Sequence, residues 1–201
     1  GGNGGLQDVD NLGWKLAAVL DGFAPVSLLK SYDRERTQAA DENILNSTRS
    51  TKFMTPEDGA ERLFRDQVLA LAAKAPFARA WVNSGRLSRP YTYSLVAPDV
   101  AELPDGARPG VVAPDAPLPD GWLLNEIGGR FVLLALGGAK VSLNDIDVCH
   151  PDISDVIRER YLGRQPQGYY LIRPDQIIAA RWMDFDKNGI TDTIARILEA
   201  T

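Results

Sequence analysis

Gly128-Gly129-Arg130-Phe131-Val132-Leu133-Leu134-Ala135-Leu136-Gly137-Gly138 is the stretch on which the reading of the fold turns. A strand covered on one face alternates polar and apolar residues, whereas one covered on both faces stays apolar throughout. The unbroken run closed by glycine pairs therefore predicts a central strand over 130–136. Following the chain onward, 141–149 reads as a second strand or its approach and 153–161 as a helix. Segments 168–173 and 176–182 read as a hairpin-like pair around Pro174-Asp175, and 191–200 as a closing helix. Strand, helix, hairpin and helix together make a mixed α/β pattern.

Before this strand the texture changes. Pro90, Pro98, Pro104, Pro109, Pro114, Pro117 and Pro119 crowd a stretch that cannot form a regular helix and reads as extended linker or irregular wrapping. Further back the chain reads as helical. Leu6, Val9, Gly13, Leu16 and Leu20 recur at helical spacing and form one apolar stripe, with Gly22 just past the end. Ser27 is a good N-cap for a second helix running towards Met54, and Leu63, Phe64, Val68, Leu71 and Ala72 mark a third from 57 to about 74, which Pro76 interrupts or restarts. The division into domains falls near residue 106, giving 1–106 and 107–201.

The composition is that of a globular protein: 201 residues, 44% apolar and 24% charged. A net charge of −5 with scattered Lys and Arg offers no footprint for a phosphate backbone, so nucleic acid is not an expected partner. No apolar run, 131–136 included, approaches the length of a membrane span. With one cysteine, Cys149, no internal disulfide can form, which points to a reducing compartment and a cytoplasmic location. The opening Gly1-Gly2-Asn3-Gly4-Gly5 lacks Met and a signal peptide, as expected of a fragment.

The opening glycines read as a loop running directly into the first helix. The first turn of a helix carries unpaired N–H groups and a partial positive charge, and glycine lets a flat ligand approach the backbone. The residues alone leave two readings open, a simple cap or tail and a ligand site. Asp8 reads as first-turn charge complement. The run Tyr32-Asp33-Arg34-Glu35-Arg36 reads as a solvated helix face, and Trp14, Trp81, Trp122 and Trp182 as core or interface.

Residues 1–16, Gly1-Gly2-Asn3-Gly4-Gly5-Leu6-Gln7-Asp8-Val9-Asp10-Asn11-Leu12-Gly13-Trp14-Lys15-Leu16, resemble the second flavin-binding motif of the single-component FAD-dependent aromatic hydroxylases, the phenol and hydroxyphenylpropionate hydroxylase group. Leu28-Leu29-Lys30-Ser31-Tyr32-Asp33-Arg34-Glu35-Arg36 resembles the next helix of that family. The resemblance implies that Gly2, Asn3, Gly4, Gly5 and Leu6 contact FAD, with no catalytic side chain in this segment; His150, the one histidine, offers no metal site. It further implies NAD(P)H as co-substrate and a phenolic or aromatic small molecule as substrate, hydroxylated with O2. The Gly-Asp stretch that precedes the motif in that family is not in this chain, nor is the dinucleotide fingerprint, so the chain by itself is expected to be inactive and to hold FAD poorly.

Arg108-Pro109-Gly110-Val111-Val112-Ala113-Pro114-Asp115 and residues 170–182 resemble the start and the terminal hairpin of the thioredoxin-like domain that closes many of these hydroxylases. The fold implied is a helical remnant of the FAD-binding domain followed by a thioredoxin-like α/β domain. The segment Leu136-Gly137-Gly138-Ala139-Lys140 offers no pair of thiols, so this domain is not expected to do redox chemistry. Cys149 reads as an inert thiol, with a peroxidatic one as the alternative. A competing function is a non-catalytic scaffold or homodimerisation module.

Overall fold

The computed structural model describes residues 2–82 and 90–199, apart from the side chains of Ala80 and Trp81. The expectation for Trp81 therefore lies outside the described residues. By contacts the chain separates into two compact units: Gly1–Arg36 with Thr92–Thr201, and Thr37–Tyr91.

The first unit is built on a sheet. Strand β3 (Val132–Leu136) lies inside it, paired in parallel with β4 (Asp147–Cys149) and antiparallel with β5 (Gly168–Ile172), which pairs antiparallel with β6 (Ile178–Trp182). The sheet order is β4-β3-β5-β6. All five residues of β3 are buried. Val132, Leu134 and Leu136 enter one apolar cluster with Tyr161, Tyr170 and Ile172, while Leu133 and Ala135 enter another with Leu171, Ala179 and Ile190. Alternate side chains of a strand point to opposite faces, so two cores on one strand account for its unbroken apolar run.

Short elements surround this sheet. A two-residue ribbon joins β1 (Pro117–Leu118) to β2 (Gly121–Trp122), and α5 (Leu123–Glu126) follows directly. The strand expected over 141–149 is reduced to Asp147–Cys149, because Ser142, Asn144 and Asp145 break the run; Val141, Leu143 and Ile146 still pack on the second core from a loop. The helix expected over 153–161 is α6 (Asp155–Ile157), capped by the Ser154 hydroxyl, continuing as a π turn through Arg158–Leu162. Helix α7 (Lys187–Glu199) closes the chain and buries Ile190 and Thr193.

Of the two readings of the proline-rich stretch, the structure bears out wrapping. Gly110 donates to the Ile178 carbonyl, Ile178 donates back to Val111, and Ala113 donates to Gln176, so the segment runs along the outer side of β6. Residues 92–100 form an extended strap tied at both ends. Tyr93 donates its amide to the Gly110 carbonyl, and the Arg181 amide donates to Pro98. The guanidinium of Arg181, only 2% exposed, also binds the Asp99 carboxylate and the Pro104 carbonyl.

Helix α1 (Gly2–Leu20) begins where a loop was expected, because the glycines themselves adopt helical geometry. Its apolar stripe also faces the opposite way from what its spacing suggests. Leu6 is 73% exposed, Val9 70% and Leu20 76%, whereas Asn11 and Lys15 are buried. Helix α2 (Leu28–Met54) starts one residue after Ser27, whose hydroxyl donates to the Glu199 carbonyl.

The second unit holds the remainder of α2 with α3 (Gly59–Lys74) and α4 (Pro76–Val82). Asp58 caps α3 by accepting from the Glu61 amide, and Pro76 restarts the helix as α4. Of the apolar face expected on α3, Val68 and Ala72 are buried but Leu63 and Phe64 are exposed.

Candidate functional site

Gly2, Asn3, Gly4 and Gly5 form the first turn of α1, the part of a helix whose amides are left open by the helix's own bonding pattern. The carbonyl one turn before Gly5 belongs to residue 1, outside the described residues. Leu6 lies past the open amides and can meet a ligand only with its exposed side chain. An added Cβ at Gly2, Gly4 or Gly5 would meet nothing within 4 Å. The turn therefore offers bare backbone and open space beside it, which suits the edge of a flat, electron-rich ring such as a flavin.

The orientation of this turn is set by Arg36. Its Nε donates to Asp8 at 2.6 Å, Nη1 to the Tyr93 hydroxyl at 2.9 Å, and Nη2 to the Gly4 carbonyl at 3.3 Å. Asp8 thus sits in the second turn of α1 as the partner of Arg36, not as a first-turn capping group. Arg36 is 6% exposed and Glu35 7%, so the expected solvated face is buried on its Glu35-Arg36 side. An isolated charge run cannot reveal this, because the partners lie far away in sequence.

Beneath the turn lies a buried polar cluster. Arg173 donates from Nη1 and Nη2 to the two oxygens of Glu35, both at 2.9 Å, and from Nε and Nη2 to Asp175 at 3.0 and 2.6 Å. Lys15 donates to Glu35 at 2.9 Å and to the Asn11 side-chain carbonyl at 2.8 Å, and the Asn11 amide donates to Glu35 and Asp175. Burial alone would raise the Glu35 carboxyl, but Arg173, Lys15 and Asn11 pull it down to about 2. For Lys15 burial prevails over the attraction of Glu35, and its ammonium falls to about 8. Burial also opposes the charge on Arg173, yet Asp175 and Glu35 outweigh it and hold the guanidinium protonated. The Trp14 ring lies 5.4 Å from the Arg173 guanidinium, and its buried indole Nε1 has no hydrogen-bond partner among the described residues.

The cluster joins α1, α2 and the β5-β6 turn. Arg173-Pro174-Asp175-Gln176 reverses the chain with Gln176 at φ 61° and its amide donating to the Arg173 carbonyl, and this tight turn projects Arg173 and Asp175 towards the helices. Neither residue stood out from sequence except as part of a hairpin.

Cys149 is half-buried, and burial, with Glu126 adding to it, raises its thiol pKa against the weaker pull of Arg130. The adjacent His150 is engaged with the Val141 carbonyl at 2.9 Å. Nothing here favours a thiolate. Among the described residues no group of three His, Cys, Asp or Glu could hold a metal, and no helix is long and apolar enough to cross a membrane.

Residues 1–47 match a family model described as an FAD binding domain. The chain is 39% identical over 82 residues to the 3-(3-hydroxy-phenyl)propionate/3-hydroxycinnamic acid hydroxylase of Mycolicibacterium vanbaalenii, covering 41% of this chain and 14% of that protein. It is 26% identical to the protein of the same name from Burkholderia cenocepacia, covering 94% of this chain and 41% of the relative. Its fold is similar to that of the rebeccamycin biosynthetic enzyme RebC with reduced flavin, with TM-score 0.72 and 24% identity over 99% of this chain and 42% of the other. The chain thus spans less than half the length of each of these proteins. The chain is thus similar in sequence to these hydroxylases, and its residues 1–47 to an FAD binding domain.

Proposed function

We propose that this chain forms the C-terminal portion of a flavin-dependent monooxygenase that hydroxylates a phenolic or aromatic ring using NAD(P)H and O2. The observation that carries this reading is the open glycine turn at the head of α1, inside a segment that matches an FAD-binding domain. In this reading Gly2, Asn3, Gly4 and Gly5, with Leu6 beside them, hold the polar edge of the FAD ring. FAD supplies the redox and oxygen-transfer chemistry. The chain's own work is to aim amides at a place where negative charge develops, and Arg36 holds those amides in direction through Gly4 and Asp8. Residues 1–106 then belong to the hydroxylase domain, and 107–201 to a thioredoxin-like domain whose support is its mixed four-stranded sheet with a helix following the last strand.

A second reading, a scaffold or homodimerisation module, is favoured by the exposed row Leu6, Val9, Leu16 and Leu20 on α1. Flavin absorbance of the purified chain titrated with FAD, together with sedimentation, separates the two. Gly4→Val sharpens the test, because a side chain there meets nothing within 4 Å in this chain. In the whole protein the variant is expected to lower flavin occupancy and the NAD(P)H-dependent hydroxylation of phenols. Unchanged flavin binding and turnover in Gly4→Val would remove the proposal, and a colourless, self-associating chain favours the module.

A further inference from the structure

We propose that the cavity lined by α1, α2, α7 and the strap residues 94–97 binds a small organic carboxylate, with the charged end between Arg34 and Arg196 and an apolar body against Trp14 and Ile197. The cavity measures about 390 Å³. That is more room than a bare inorganic ion fills and falls within the range of small-molecule sites.

Charge selects the sign of the ligand. Lys15, Arg34, Arg173 and Arg196 line the cavity against one lining carboxylate, Glu35. Lys15 and Arg173 are already balanced by Glu35 and the neighbouring Asp175. Arg34 and Arg196 are not. Arg34 makes no hydrogen bond or ion pair among the described residues, and Arg196 reaches only the Asp192 carbonyl at 3.3 Å and the Thr193 hydroxyl at 3.1 Å. In a chain whose net charge is −5, two guanidinium groups without a carboxylate at one cavity are a local reversal of sign. A planar carboxylate matches the planar fork of arginine, and unlike inorganic phosphate an organic carboxylate carries a body for the apolar walls.

The walls select the remainder of the ligand. Trp14, Leu95, Ala179 and Ile197 supply an apolar lining, and the amides of 94–97 make no bond among the described residues, so the strap can also donate. This cavity is separate from the glycine turn: Trp14 lies ten residues beyond Gly4, about 15 Å along the helix. The inference therefore does not depend on the flavin reading.

Benzoate is the probe. Calorimetric titration of the full chain at low ionic strength should show saturable, single-site binding that weakens with added salt. The double variant Arg34→Gln/Arg196→Gln should weaken it by about tenfold or more, and benzamide, of the same shape without the charge, should bind at least about tenfold more weakly. Both arginines are exposed, so the variant should keep the thermal melt of the parent. Absence of saturable heat up to about 10 mM benzoate, or equal binding by parent and double variant, would overturn the proposal. Competition by inorganic phosphate as strong as by benzoate would also overturn it, since the apolar walls would then contribute nothing.

Discussion

Arg173 and Glu35 stand 138 residues apart in the chain and meet through two parallel hydrogen bonds of 2.9 Å each. Both are almost wholly buried. Removing one partner of such a pair strands the other charge away from water, which costs about 3–5 kcal/mol. Glu35→Ala and Arg173→Ala are each expected to lower stability by that amount in urea denaturation. The double replacement Glu35→Leu/Arg173→Met should cost less than the two single losses together, because the bonds the two residues share are lost only once.

The same cluster gives two limbs of pH dependence with opposite causes. Glu35 is held at about 2 in the folded chain against an ordinary 4.5, so its contribution is complete above 4.5 and is lost as pH falls towards 2. That contribution is on the order of 3 kcal/mol. Lys15 is held at about 8 against an ordinary 10.5, so between these values the unfolded chain binds the extra proton and the folded state gains stability as pH rises. Urea midpoints measured across pH should show both slopes. Glu35→Gln should flatten the acid one, and Lys15→Met the alkaline one.

Arg36 is a positioning residue, tested best by exchange. Arg36→Lys keeps the charge but cannot span Asp8, the Tyr93 hydroxyl and the Gly4 carbonyl together. Amide hydrogen exchange in the first two turns of α1 is expected to accelerate about tenfold or more in this variant, with about 1–3 kcal/mol of stability lost. Exchange unchanged in those turns would show that Arg36 does not hold them.

Gly110 has φ 87°, and a Cβ there would lie 1.9 Å from the Tyr93 carbonyl oxygen. Gly110→Ala must therefore push the strap away while adopting a backbone conformation unfavourable to alanine. A loss of at least about 2 kcal/mol is expected in thermal or urea melts.

Cys149 should react slowly with iodoacetamide and with peroxide at neutral pH, because burial raises its thiol pKa and His150 is occupied elsewhere. Rapid sulfenic acid formation would revive a peroxidatic role.

Strand β3 was legible because double-sided burial leaves a local signature, an apolar run between glycines. The β5-β6 hairpin was legible from Pro174-Asp175 for the same reason. Helix α1 was legible as a helix but not in its facing: Leu6, Val9 and Leu20 have the spacing of a core stripe, yet the core side is Asn11 and Lys15. Periodicity reports that side chains share a face, not which neighbour awaits them. The polar cluster was invisible for a related reason, since Asn11 and Asp175 are 164 residues apart and neither is unusual in its local setting. Residues 141–146 show the converse, apolar residues that fill a core without extending a strand.

A helix seated by oily contacts can roll a little in its groove, for one hydrocarbon surface is much like another. Helix α1 is seated by hydrogen bonds of fixed length and direction on Asn11 and Lys15, so rolling it would break several at once. Its azimuth is therefore dictated chemically, in part by a reverse turn near the far end of the polypeptide, and the aim of its leading backbone N–H vectors is inherited from there.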